Sequence, residues 1–267
     1  MNNYRQYLDQ LLLATAENGA SDLHISPGHY PAMRLDSRLI QIAGAQILDQ
    51  DTTSGLVGEL VGPERKDRFL SEKELDFSYE YAGKYRFRVN AYHARGGVAA
   101  SLHLIPNEIR TVEELNLPSV VKIFGRLSQG FVLVVGPNGH GKSTTLASLV
   151  DLINKERAEK IVTIEDPIEY IFTPNKSIID QREIYQDTFS FHKAIRSTFR
   201  QNVNVILVGE MRDYETMSAA VTAAETGHLV LASLHTNSAS QTIERIIDSF
   251  PPNQQAQVRS QMANTIS

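Results

Sequence analysis

Gly136-Pro137-Asn138-Gly139-His140-Gly141-Lys142-Ser143 fits the pattern G-x-x-x-x-G-K-[ST], and Thr144 follows it. Phe131-Val132-Leu133-Val134-Val135, directly upstream, is a short apolar, β-branched run that reads as a buried strand. Ser143 to Asn154, directly downstream, carries Leu146, Leu149, Val150 and Ile153 at helical spacing. Strand, glycine loop and helix start are the context in which such a loop binds phosphate. Glycines let the backbone wrap an anion, so that several N–H groups and the positive end of the helix face it. In that geometry Lys142 reaches the β- and γ-phosphates and the Ser143 hydroxyl holds Mg²⁺. An ordinary glycine-rich turn would need neither the full spacing nor both flanks. The stretch reads as a nucleoside-triphosphate site.

Outward from the loop, strands and helices alternate, the pattern of a mostly parallel sheet covered by helices. The spacing predicts strands over 130–136, 160–165, 177–182, 203–209 and 228–234, and helices over 142–155, 187–201, 213–226 and 238–249. Ligands of open α/β sheets bind beyond the carboxyl ends of the strands. There the chain offers Glu165-Asp166, Glu210 and His235, at the same edge as the phosphate loop. Val205 to Glu210 resembles a Walker B strand in which Gly209 stands where an aspartate is usual, leaving Glu210 to serve Mg²⁺ or its waters. An acid after an apolar strand is by itself a common loop residue; beside a phosphate loop it gains meaning. Glu165 is the better candidate for orienting the attacking water, with Glu169, beyond Pro167, as its competitor. For His228 and His235 the residue pattern leaves open a hydrogen-bonded packing role.

The first half reads differently. Residues 4–17 are helical in pattern, Asp22–Ile25 and Ala32–Leu35 are short strands about a Pro27-Gly28 turn, and a helix or two lies between Asp51 and Leu70, with Pro63 opening the second. Residues 76–105 alternate with period two as a three-stranded antiparallel meander. Arg86 and Arg88 share its polar face, which on pattern alone is a solvated one, and Arg95 opens the Arg95-Gly96-Gly97 turn. The polar, proline-bounded stretch 107–118 is the expected linker between a domain of residues 1–106 and one of 119–267.

Composition bounds the rest. A net charge of −5 over 267 residues argues against a surface built for nucleic acid or anionic membrane. The chain has no cysteine, which suits the cytoplasm and excludes thiol chemistry. No apolar run spans a bilayer, and Leu11 to Ala16 has too short an apolar core for a signal peptide.

Three stretches carry a family resemblance. Ile161 to Tyr170 (IVTIEDPIEY), Ile206 to Asp213 (ILVGEMRD) and Thr222 to Ala239 (TAAETGHLVLASLHTNSA) resemble the Asp box, Walker B and His box of the type II/type IV secretion ATPase superfamily. Gly19 to His24 and Tyr85 to Asn90 resemble the PAS-like N-terminal domain of its twitching-motility branch, and Thr242 to Pro251 is similar to the same branch. The resemblance implies a RecA-like P-loop core behind a smaller α+β PAS-like domain, with ATP and Mg²⁺ bound between the two. It implies a hexameric ring of identical subunits that drives pilus retraction at the cytoplasmic face of the inner membrane. Such a ring works against a platform protein, without entering the bilayer or binding nucleic acid. Pilus-assembly and secretion motors, or a non-hydrolysing paralogue in a mixed ring, are the alternatives.

It further implies arginine fingers at Arg86, Arg88 and Arg95, and functional roles for Lys142, Ser143, Glu165, Glu210, His228 and His235. The chain departs from the family at Arg200-Gln201-Asn202-Val203-Asn204, where R-E-D-P-D is usual, at His103, and at Asn138 and His140 in the loop. None of these removes a catalytic group. Measured against the family, the chain also stops early, at Ser267 inside a helix predicted from Asn253.

Overall fold

The computed structural model describes residues 4–106 and 108–267, which form two compact units, Met1–Asn107 and Glu108–Ser267. The first contains α1 (Tyr4–Glu17), β1 (Asp22–Ile25), β2 (Ala32–Leu35), β3 (Arg38–Gln41), α2 (Gln50–Glu72), β4 (Glu74–Tyr81), β5 (Tyr85–Ala94) and β6 (Gly97–Ile105). Its strands make one antiparallel sheet in the order β3-β2-β1-β6-β5-β4. The period-two alternation puts Phe77, Phe87, Val89 and Leu102 on one face, packed with Leu8, Leu11 and Leu12 of α1 and Leu56 and Leu60 of α2. The expected meander is therefore half of a larger sheet, joined through the β1–β6 pairing.

The sequence pattern did not reveal β3. All four of its residues are exposed, so no apolar alternation marks it; the turn at Asp36 and Ser37, both at positive φ, folds it onto β2. Helix α2 is broken at Gly62 (φ 70°, ψ 171°), and Pro63 opens its second half.

The second unit contains α3 (Val121–Arg126), β7 (Gly130–Val135), α4 (Lys142–Glu156), β8 (Lys160–Glu165), β9 (Ile178–Glu183), α5 (Phe191–Thr198), β10 (Val205–Val208), α6 (Tyr214–Glu225), β11 (Leu229–Leu234), α7 (Ala239–Ser249) and α8 (Pro252–Thr265). Its five strands are all parallel, in the order β7-β11-β10-β8-β9. Alternate residues divide between two cores. Phe131, Val162, Ile164, Ile206, Val208 and Val230 pack with α5, α6, α7 and α8. Val132, Ile161, Val205, Leu207 and Leu231 pack with Leu146, Leu149, Val150 and Ile153 of α4. A sheet covered on both faces explains why these strands read as continuous apolar runs.

Two expectations shift. The helix read over 187–201 shortens to Phe191–Thr198, because the chain after β9 first turns back on itself: the Tyr185 N–H donates to the Thr188 carbonyl (2.6 Å), with Tyr185 at φ 67°. Of the stretch read as a linker, Asn107 lies outside the described residues. The rest belongs to the second unit, where Val112 is buried and Thr111 and Glu114 bond reciprocally, Thr111 N–H to Oε2 at 2.8 Å and Glu114 N–H to Oγ1 at 3.2 Å. No helix among the described residues is long and apolar enough to cross a membrane.

Candidate active site

Chain direction and strand order together build this site. Because all five strands are parallel, the segments after β7, β8, β10 and β11 leave the sheet at one edge. After β7 the loop turns through Gly136, Gly139 and Gly141 at φ 155°, 75° and 77°, conformations that side chains resist, and α4 begins at Lys142. Pro137, Asn138, Gly139, His140 and Ser143 are exposed along it, with His140 Nδ1 3.0 Å from the Asn138 carbonyl. Lys142 is only 8 % exposed. Its Nζ donates to the Pro137 carbonyl at 2.9 Å and to Nδ1 of His235 at 3.2 Å. Neither partner is an anion. A buried ammonium without counter-charge, beside a nest of glycine N–H groups at a helix start, fits a phosphate.

An ammonium can only donate, so His235 Nδ1 accepts and the imidazole proton sits on Nε2. That proton points to Oε2 of Glu210, 3.3 Å away, while Arg212 pairs closely with the other carboxylate oxygen. The Arg245 guanidinium holds the His235 carbonyl at 2.8 Å and fixes the backbone from which the ring projects. Lys142, His235, Glu210 and Arg212 thus form one continuous polar chain. Among the described residues no cluster of three or more His, Cys, Asp or Glu forms a direct metal cage. Mg²⁺ in nucleotide sites is held largely by phosphates and waters rather than by a cage of side chains.

Glu165 ends β8 and is 8 % exposed. One oxygen accepts from Thr163 Oγ1 at 2.7 Å and more distantly from Gln181 Nε2 at 3.5 Å; the other accepts from the Glu169 N–H at 3.4 Å. Burial outweighs these donors and pushes the carboxyl up to about 7. That is the range of a general base working near neutrality. Glu169 contributes its backbone to this acid. Gly209 passes close beneath it: a Cβ there would lie 3.3 Å from the Ile164 carbonyl and 3.4 Å from Glu165 Cα. An aspartate at 209 would press on the end of β8, whereas Glu210 lies one residue further on, beyond the strand.

His228 stands apart from this group. It precedes β11, at the amino-terminal edge of the sheet, with Nδ1 3.0 Å from the Ala223 carbonyl and its ring against Phe199. The six-residue β11 separates it from His235, roughly 20 Å at the rise of a strand. Within this unit the half-buried His228 is held by that carbonyl and by Phe199, at the edge away from the phosphate loop. Arg86, Arg88 and Arg95 belong to the first unit. Arg86 Nη2 donates to Ser78 Oγ at 2.6 Å and Nη1 lies 3.9 Å from Glu80, so that arginine is anchored rather than merely solvated. Arg88 is exposed on β5, and Arg95 sits at φ 51° in the β5–β6 turn.

Sequence reasoning missed Thr163, Gln181 and Tyr170. The Tyr170 hydroxyl is 2.9 Å from Thr144 Oγ1, tying the loop after Glu165 to the first turn of α4. Thr163 interrupts the apolar run of β8, the one signal that could have found it; Gln181 lies among Asp180, Arg182 and Glu183 on β9 and carried none.

The raised acid has a thermodynamic signature. A carboxyl whose folded pKa, about 7, exceeds its usual 4.5 contributes stability that is complete below pH 4.5 and lost as pH rises through 7. Glu165→Gln should therefore gain on the parent between these values and hold that gain above pH 7, by at most roughly 3 kcal/mol. Melting temperatures of both proteins from pH 5 to 8.5 check this; a constant difference would show that Glu165 is not raised.

Residues 80–263 match the family model described as "Type II/IV secretion system protein". The chain is 42 % identical over 259 residues to the type IV pilus retraction ATPase PilT of Pseudomonas aeruginosa, covering 97 % of this chain and 75 % of that protein. It is 41 % identical over 250 residues to the type IV pilus ATPase PilU of the same organism, covering 94 % and 65 %. The crystal structure of the pilus retraction motor PilT with bound ADP superposes with a TM-score of 0.90 at 43 % identity, over 97 % of this chain and 75 % of that one. With its phosphate loop at the edge of a parallel, RecA-like sheet, the chain belongs to the type II/IV secretion ATPase family and is a P-loop ATPase.

Proposed function

We propose that this chain is the subunit of an ATP-hydrolysing motor that drives type IV pilus retraction. The observation that carries the reading is the convergence of Lys142, Glu165, Glu210 and His235 on one sheet edge, in a chain resembling a retraction ATPase over 97 % of its length. The loop N–H groups from Gly136 to Thr144 and the Lys142 ammonium bind the β- and γ-phosphates, and that anion replaces the Pro137 carbonyl as the partner of Lys142. Ser143 and, through water, Glu210 would hold Mg²⁺, which would supply charge neutralisation at the phosphates. Glu165 accepts a proton from the attacking water. His235, already between Lys142 and Glu210, keeps the two sides of the phosphate site in register. Arg86, Arg88 and Arg95 bring further positive charge to the triphosphate.

In this reading residues 1–106 are a PAS-like domain, supported by the antiparallel sheet and the two helices on its face, 107–118 joins it to the rest, and 119–267 is the ATPase core. The subunits form a homo-hexamer that sits peripherally at the cytoplasmic face of the inner membrane, against a platform protein of the pilus base.

A non-hydrolysing paralogue in a mixed ring is the second reading, favoured by the altered stretch Arg200 to Asn204. That stretch precedes β10, where the Asn204 side chain accepts from the Lys160 N–H at 2.9 Å, at the edge of the sheet remote from the phosphate loop. Its changes leave the hydrolytic residues in place.

ATP turnover measured against protein concentration separates the readings. Turnover per subunit that rises with concentration supports a ring motor; clear ATP binding without hydrolysis supports the paralogue. Lys142→Ala should weaken nucleotide binding by at least about tenfold. Glu165→Gln or Glu210→Gln should retain binding while hydrolysis falls by about 10²–10⁴. Unchanged turnover in both carboxylate variants would refute the assignment.

A further inference from the structure

Glu165 is buried, yet as a base it must be ionised and must point at one water. The structure contains a device for this that the phosphate-site pattern does not include. Gln181, on β9, has an amide whose orientation is fixed by its partners: the Phe172 N–H donates to Oε1 at 2.9 Å, so Nε2 faces the Tyr170 carbonyl at 2.7 Å. The same Nε2 reaches Oε1 of Glu165 at 3.5 Å, where the Thr163 hydroxyl, fully buried on β8, already donates at 2.7 Å. Tyr170 in turn meets Thr144 at 2.9 Å, in the first turn of α4. Thr163 and Gln181 therefore crowd one oxygen of Glu165 with donors, while Oε2 meets a single, longer contact from the Glu169 N–H at 3.4 Å.

We propose that Thr163 and Gln181 are positioning residues for hydrolysis: together they hold Glu165 Oε1, keep the carboxylate ionised, and leave Oε2 for water. Gln181 also links that carboxylate, through Tyr170 and Thr144, to the helix that carries the phosphate loop. The proposal rests on the reading of Glu165 as the base.

Energetically the two donors oppose the burial that raises this acid. The acidic groups around it are Asp166 and Glu169 on its own loop, Glu183 opposite it on β9, and Glu210 after β10. Glu169 adds repulsion, and Glu183 is engaged by the Ile168 N–H at 3.1 Å. Gly209, directly after β10, has no side chain to bring. Removing the Thr163 hydroxyl thus takes away the shortest donor to Glu165, and the carboxyl must hold its proton to higher pH.

The test uses Thr163→Val, which keeps the shape and loses the hydroxyl, Thr163→Ser, which restores it, and Gln181→Met, which keeps the length and loses all three amide bonds. In each, kcat and KM for ATP are measured from pH 5.5 to 9, with ADP affinity and melting temperature alongside. Thr163→Val and Gln181→Met should lower kcat at pH 7 by about tenfold or more. They should leave KM and ADP affinity within about twofold and move the rising limb of kcat to higher pH. Thr163→Ser should restore the parent profile. A carbon-13 titration of the Glu165 carboxyl, identified by its loss in Glu165→Gln, gives the same shift without turnover.

If Glu165→Gln is inactive but neither variant moves the limb or the carboxyl titration, the positioning proposal is overturned and the base reading stands. If Glu165→Gln turns over like the parent, the base reading itself is wrong. A fall in KM and kcat together, with an unmoved titration, would mean a purely structural role and would also overturn the proposal.

Discussion

Strand order is the constraint on which this site depends. The strand that feeds the phosphate loop, β7, and the strand that ends before Glu210, β10, are not neighbours; β11 lies between them. Adjacent strands are about 4.8 Å apart, so the two functional segments are separated by roughly twice that distance. A lysine and a carboxylate so placed need a group between them that can accept from one and donate to the other. A neutral imidazole does both, and His235 is the residue that β11 delivers there. The bridge follows from topology: exchange the positions of β11 and β8 and Glu165 would occupy the gap, leaving two acids beside each other with no imidazole between Lys142 and Glu210.

The site carries electrostatic cost that the rest of the unit offsets. Lys142 is buried against a carbonyl and an imidazole, and Glu165 is buried against donors too few to hold it at the ordinary carboxylate value. Both would be better solvated in the unfolded chain. The offset is the two-sided core, in which each strand alternates residues between the α4 face and the α5 to α8 face. That asymmetry, apolar certainty beneath and electrostatic tension at the rim, is the expected pattern where a site must accept a highly charged ligand.

Much of this was legible in the sequence, and the limit is physical. The phosphate loop is a local pattern whose glycines, lysine and flanks are contiguous, so its conformation and its place between β7 and α4 could be read directly. Strand ends were also readable, since an apolar run stops where the acid or histidine begins. What one dimension does not encode is which strand lies beside which. His228 and His235 flank the same apolar run and look equivalent on paper; parallel pairing sends one to each edge. The partners of Glu165 were invisible for the same reason: Thr163 and Gln181 reach it from its own strand and from β9, eighteen residues separating the two. β3 escaped because an exposed edge strand has no buried face to impose alternation.

The glycine before Glu210 shows how one departure from a pattern suits another part of the site. In a Walker B strand the acid usually closes the strand itself. Here the Gly209 N–H donates to the Ile164 carbonyl at 2.8 Å, and its carbonyl accepts from Ser233 at 2.5 Å, so the backbone at 209 is clamped between β8 and β11. With the Ile164 carbonyl 3.3 Å and Glu165 Cα 3.4 Å from where a Cβ would stand, a side chain at 209 would make the end of β8 give by a few tenths of an ångström, and a second acid there would repel Glu165. One residue later the chain has left the sheet, and a side chain can swing to His235 and Arg212. The buried acid of β8 and the acid that follows β10 thus meet different partners although their strands are neighbours, Glu165 the Thr163 hydroxyl and Glu210 the His235 ring.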